Sequence, residues 1–139
     1  MNGFNFVADT NFLISVHEGK KFVEPFLDSA PIVSIISEIE LLGWYKLNPD
    51  DIVELRSLLD DCIILDLTAD IKRLAIEIKQ QIKIKTPDAI IAATSQYLKI
   101  PLVTSDKDFK KIPGIELILL QALQEPPITI FAIPGTAFP

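Results

Sequence analysis

Cysteine and histidine are almost missing: one of each, Cys62 and His17, in 139 residues. A lone cysteine closes no internal disulfide and has no companions for a Cys-rich zinc site. Within Asp61-Cys62-Ile63-Ile64-Leu65 it reads as a small buried hydrophobe in a strand. With a single histidine, a Ser-His-Asp or Cys-His centre would have to depend on His17, and no nucleophile motif stands near it. His17 therefore reads as a helix-surface residue. Long apolar runs are also missing: none reaches the ~18 residues that cross a bilayer. The N-terminus has no charged stretch leading into an apolar segment. A cytoplasmic protein without membrane contact is expected. Only five glycines and ten prolines, against 49% hydrophobic residues, exclude a disordered chain. The length suits one domain with a real core and is too short for two. The chemistry left is that of carboxylates, hydroxyls, lysines or a bound metal.

Apolar periodicity and stop signals predict alternating strands and helices. Phe4–Ala8 reads as a buried strand, Asn11–His17 as a helical turn, and Phe22–Asp28 as a second helix. Pro31–Val33 reads as a strand, Ser34–Leu47 as a longer helix, and Asp50-Asp51 opens another with acids at its positive end. Cys62–Leu67 is a third strand, and Thr68 caps a helix over Ala69–Ile84. Thr86-Pro87-Asp88 signals a further start, with Thr86 as cap and a helix through Leu98. Leu102–Thr104, Lys107–Ile112 and Ile115–Leu119 complete the series as strand, short helix and strand. Such alternation argues an α/β fold, a parallel sheet covered on both faces. The proline-rich end, Pro126–Pro139, stands apart, with Ile128–Ile133 a candidate edge strand.

Carboxylates recur where these elements end. Asp9 closes the first strand, Asp106 follows the fourth, and Asp88 sits in the first turn of a helix. Ligands of a parallel sheet bind beyond the carboxyl ends of its strands. Taken singly, Asp9 is an ordinary helix cap, Asp88 a favourable dipole partner and Asp106 a turn former. Glu38 and Glu40 lie about 200° apart on a helical wheel and flank the Ile36/Ile39/Leu42 face, so periodicity leaves both open.

Four segments in order carry a resemblance. Val7-Ala8-Asp9-Thr10-Asn11, Ile36-Ser37-Glu38-Ile39-Glu40-Leu41-Leu42-Gly43, Thr86-Pro87-Asp88-Ala89-Ile90-Ile91-Ala92-Ala93 and Leu102-Val103-Thr104-Ser105-Asp106-Lys107-Asp108-Phe109 together resemble the PIN domain. The likeness covers residues 4–120 and is nearest to the VapC-like ribonuclease toxins of type II toxin–antitoxin systems. It implies a three-layer α/β/α domain over residues 1–122, with a central parallel sheet of about five strands, and leaves 123–139 as a C-terminal extension. It also implies an endoribonuclease whose acids are Asp9, Glu40, Asp88 and Asp106. Glu40 matches the family's glutamate because it directly precedes a leucine, although the segment to Gly43 is one residue shorter. Thr10, Asn11 and Thr104 match the family's small polar residues beside the acids, and Asp108 and Glu38 stand as further candidates.

Converging carboxylates repel one another unless a cation sits among them. All-oxygen ligands favour Mg²⁺ or Mn²⁺, one or two ions, and without a His or Cys cluster zinc fits poorly. The implied partners are RNA, a small VapB-like antitoxin and a second copy of the chain. A net charge of −6 and a pI near 4.7 run against nucleic-acid binding. The four candidate acids supply four of those charges, however, and cations cluster beside them. Lys79, Lys83 and Lys85 precede Asp88, and Lys107, Lys110 and Lys111 follow Asp106, as candidate RNA contacts. Two other readings remain: a catalytically silent PIN-like module that binds RNA or protein, and a phosphatase or receiver domain. Against a haloacid-dehalogenase-type phosphatase stands Asn11, where that chemistry needs a second aspartate.

Overall fold

Short aliphatic runs form the strands of the computed structural model, which describes residues 5–120. They are β1 (Val7–Ala8), β2 (Ile32–Ser34), β3 (Ile63–Leu65), β4 (Leu102–Thr104) and β5 (Leu117–Leu119). Every pairing is parallel, in the order β3-β2-β1-β4-β5, with Val7 opposite Ile32 on one side and Leu102 on the other. Parallel neighbours need long crossovers. Helices supply them: α1 (Thr10–His17), α2 (Ile35–Leu42), α3 (Pro49–Asp60), α4 (Ala69–Gln81) and α5 (Thr86–Leu98). Short 3₁₀ turns at Lys21–Phe26 and Lys107–Lys111 complete the described chain.

Side chains alternate across a strand, and β1 and β4 sort accordingly. Val7 and Leu102 pack with Ile71, Ala75, Ile78 and Ile91 under α4 and α5. Phe6, Ala8 and Val103 pack with Leu13, Leu41, Leu55 and Leu59 under the other helices. The α/β/α layering expected from the alternation is thus present. α2 touches both layers, meeting α1 and α3 as well as α5. The rings of Phe6, Phe12 and Phe26 meet edge to face, with centroids 5.5 to 6.0 Å apart. Each such pair adds about 0.5–1.5 kcal/mol beyond burial. Since Phe6 and Phe12 flank Asp9 in sequence, the cluster fixes the path of the chain through that residue.

Several boundaries differ from the sequence reading. The helix expected over Ser34–Leu47 stops at Leu42: Ser34 is its cap, accepting the Ile36 N–H at 3.2 Å, and Gly43 ends it. The helix expected over Phe22–Asp28 is a 3₁₀ turn containing Pro25, which has no N–H to extend a regular α-helix. Thr86 is the first residue of α5 rather than its cap; Lys85 holds that place without a side-chain bond. α4 ends at Gln81, short of Ile84, and the Lys79 ammonium donates to the Ile84 carbonyl at 2.8 Å across the link. β3 begins after Cys62, whose thiol donates to the Leu58 carbonyl at 3.4 Å. The candidate strand Ile128–Ile133 lies outside the described residues.

The chain steps outward from β1 to β3, then returns so that β4 flanks β1 on its other side. At such a reversal the crossovers leave toward opposite faces and open a crevice at the strands' carboxyl ends. Asp9 directly follows β1, and Thr104 closes β4.

Candidate active site

Asp9 is where β1 gives way to α1, and both of its oxygens are engaged. Oδ1 accepts the Phe12 backbone N–H at 2.8 Å and so caps α1, while Oδ2 accepts the Thr104 hydroxyl. The residue is 2% exposed. Burial costs the carboxylate more than those two bonds return, and Asp106 and Asp88 add repulsion, so its pKa is pushed up from 3.8 to about 7.

Thr104, fully buried, ties Asp9 to Asp106 by accepting the Asp106 N–H at 2.9 Å. Asp106 Oδ1 in turn accepts the Asp108 N–H at 2.9 Å and caps the following 3₁₀ turn. Asp88 stands half-buried in the first turn of α5. Burial pushes its pKa up, the charges of Asp106, Glu40 and Asp108 push it the same way, and Lys85 opposes them.

Glu40 reaches the group from the last turn of α2. Its Oε1 lies 2.6 Å from Thr10 Oγ1, the short distance of a charge-assisted bond. Thr10 Oγ1 also lies 2.9 Å from Ser37 Oγ. A carboxylate only accepts, so the single Thr10 proton goes to Glu40 and the Ser37 hydroxyl donates to Thr10.

Charge coupling links Asp9 to Asp88 and Asp106, and Asp88 to Asp106 and Glu40, with Thr104 bonded to Asp9 and Thr10 to Glu40; among the described residues no three of these acids bring ligand atoms within 4.8 Å of one another. Glu38 lies in the first turn of α2, and it is Glu40 whose carboxylate meets Thr10 and whose charge is felt at Asp88. Asn11, Asp108, Lys83, Lys85, Lys107, Lys110 and Lys111 are exposed, and the charges of Lys85 and Asp108 are felt at Asp88. Ser37 carries no signal in the sequence, where it is one hydroxyl in an apolar helix. None of the ion pairs among the described residues engages the four acids. A site of hard oxygen donors with a buried carboxylate suits a hard divalent cation.

Two residues set aside by the sequence reading have structural surroundings. His17 is packed on α3, with Nε2 3.4 Å from Asp51 and Nδ1 3.3 Å from Glu54, and so joins α1 to α3. Ligand atoms of these three residues lie within 4.8 Å of one another. Burial and the neighbouring Asp61 push the Cys62 thiol up to about 11, so little of it is reactive thiolate at neutral pH. Beside Glu40 opens an apolar cleft of about 470 Å³ lined by Ile14, Leu41, Trp44, Leu47 and Leu55, with Thr10 and His17 at its polar edge.

The family model of the PIN domain matches residues 6–115. The chain belongs to the PIN domain family. Among relatives of this PIN domain, Ribonuclease VapC6 of Methanocaldococcus jannaschii is 45% identical over 56 residues, 40% of this chain and 37% of that protein. The alignment thus spans less than half of that relative. A toxin–antitoxin complex from Klebsiella pneumoniae contains a chain 30% identical, with a TM-score of 0.70 over 81% of this chain and 95% of that one. VapBC2 from Rickettsia felis, bound to a promoter DNA fragment, superposes with a TM-score of 0.74 at 21% identity, covering 84% and 98% of the two chains. At that identity the likeness speaks for the fold. Among the described residues of the PIN domain no helix is long and apolar enough to cross a membrane.

Proposed function

We propose that the chain is a metal-dependent endoribonuclease, hydrolysing RNA phosphodiester bonds as the toxin of a toxin–antitoxin pair. The observation that carries this is the mutual charge coupling of Asp9, Asp88 and Asp106, extended to Glu40 through Asp88, beside β1 and β4 of a PIN domain. The ribonuclease and toxin–antitoxin relatives support it.

Asp9, Asp88 and Asp106, with Glu40, would hold one or two Mg²⁺ or Mn²⁺ ions. Such an ion, when bound, polarises a phosphate and lowers the pKa of an attacking water. The chain's own groups do the rest. The Phe12 N–H and Thr104 hydroxyl immobilise Asp9, so its carboxylate is presented without reorganisation. Glu40, exposed at the crevice mouth, orients the attacking water and accepts its proton. Asn11, exposed beside Thr10 in the first turn of α1, would contact a phosphate oxygen. Lys83, Lys85, Lys107, Lys110 and Lys111 flank the acids and draw in the RNA backbone, whereas Lys79 is engaged on the Ile84 carbonyl. Asp108 tunes Asp88 by its charge, and Glu38 has no part. Residues 1–122 form the nuclease domain and 123–139 an extension. A small VapB-like antitoxin covers the acidic groove, and the toxin pairs with a second copy of itself in the cytoplasm.

The test is cleavage of total RNA by the purified chain in Mg²⁺ or Mn²⁺, with EDTA as control and Asp9→Asn as the inactive comparator. Wild-type cleavage by that variant would overturn the assignment. Binding without cleavage in either metal would make the chain a silent PIN-like module.

A further inference from the structure

We propose that Ser37 is a positioning residue that acts on Glu40 through Thr10, an inference that rests on the nuclease reading above. Ser37 and Glu40 are three residues apart and share one face of α2. Both meet the Thr10 hydroxyl at the start of α1, at 2.9 and 2.6 Å. Ser37 is 0% exposed, whereas Glu40 is open to solvent. The chain of bonds therefore runs from a buried donor to an exposed carboxylate.

The direction of the protons gives the chain its use. A buried hydroxyl in mid-helix donates to the carbonyl four residues back, as Thr94 does to Ile90 at 2.8 Å, but four residues before Ser37 is Val33 of β2, outside the helix. Ser37 reaches across to α1 instead. Its proton occupies a lone pair of Thr10 and leaves the Thr10 proton aimed at Glu40, and each bond polarises the next. A surface glutamate otherwise divides its time among several rotamers. Ser37 selects one of them without touching RNA.

The experiment compares Ser37→Ala, Thr10→Val, their double variant and Thr10→Ser, assayed on a defined RNA in Mn²⁺. Ser37→Ala is expected to lower kcat about 5- to 10-fold, with KM changed less than about 2-fold, as for loss of alignment rather than of binding. Thr10→Ser, which keeps the hydroxyl, recovers most of the kcat that Thr10→Val loses. Thr10→Val loses at least as much as Ser37→Ala, and adding Ser37→Ala to it costs nothing further. Calorimetric titration with Mn²⁺ gives a second readout: weaker binding in Ser37→Ala and Thr10→Val, unchanged in Thr10→Ser. Wild-type kcat in Ser37→Ala, or full additivity in the double variant, would overturn the relay. If Asp9→Asn is inactive while Ser37→Ala is unaffected, the relay alone fails; if Asp9→Asn is also active, the nuclease reading fails.

Discussion

Asp9→Asn should make the metal-free protein more stable while making it inactive. The Asp9 carboxyl titrates near 7 in the fold, against 3.8 in the unfolded reference. Between those values the folded chain holds a proton that the unfolded chain has released. Stability therefore falls as pH rises through that window, and the loss is complete above about 7. A gap of about 3 units corresponds to about 4 kcal/mol. Asparagine keeps an oxygen for the Phe12 N–H and has no charge to bury. Its amide, however, meets the Thr104 hydroxyl as a second donor and turns that proton away, which returns about 1–2 kcal/mol.

The net expectation is a gain of about 2–3 kcal/mol above pH 7.5, or about 10 °C in Tm for a chain of this size. Circular-dichroism melts in EDTA at pH 4 and pH 8 measure it. At pH 4 the advantage should turn into a deficit of about 1–2 kcal/mol, because the wild-type carboxyl is then largely protonated and only the cost of the amide at Thr104 remains. Adding Mn²⁺ at pH 8 should raise the wild-type Tm and move the variant much less, since the ion binds the ionised carboxylate. A variant no more stable than wild type at pH 8 in EDTA would refute the burial argument, whatever its activity.

Other positions give sharper contrasts. Glu40→Gln should lower kcat for RNA cleavage by about 100-fold, within the range of a lost acid–base group, while Glu38→Gln stays within 2-fold. Thr104→Val removes the donor to Asp9 and the acceptor of the Asp106 N–H; urea denaturation should show a loss of about 1–3 kcal/mol. The same change should move the acid limb of the metal-free titration upward, because the Thr104 bond holds the Asp9 pKa down. In Gly43→Ala the new Cβ would stand 2.5 Å from the Ile39 carbonyl oxygen. The end of α2 must open, and the denaturation midpoint should report about 1–3 kcal/mol lost.

How much of this was legible beforehand depends on how local each cause is. The strands announce themselves because β-branched runs bounded by polar residues are a local signal, and Asp9 marks the first boundary as a cap would. The end of α2 is harder to read. Ile39, Leu41 and Leu42 would let a helix continue, and the stop comes from the backbone at Gly43 and the turn after it. Glu38 and Glu40 differ only in what α1 places opposite them, and that partner, Thr10, is 30 residues away from Glu40 in sequence. Ser37 is hidden for the same reason. His17 looks like a surface residue until α3 brings Asp51 and Glu54 to its ring.

The surplus of acid on this chain and its proposed task are reconciled at Asp9. Near neutral pH a carboxyl with a pKa of about 7 is divided between its protonated and charged forms, so proton and metal compete for the same oxygen. On the proposed mechanism, binding of a divalent ion would release the proton and remove the burial cost together, coupling catalysis, stability and pH at a single side chain. Asp88 is pushed the same way by burial and by the charges of Asp106, Glu40 and Asp108, with Lys85 opposing them. A phosphate arriving with its own negative charge would raise the cost of the carboxylates further were no cation bound. On the proposed mechanism the ion would be needed for substrate to enter as well as for the bond to break, and the lysines near Asp88 and Asp106 in sequence would attract RNA only once that local charge is offset.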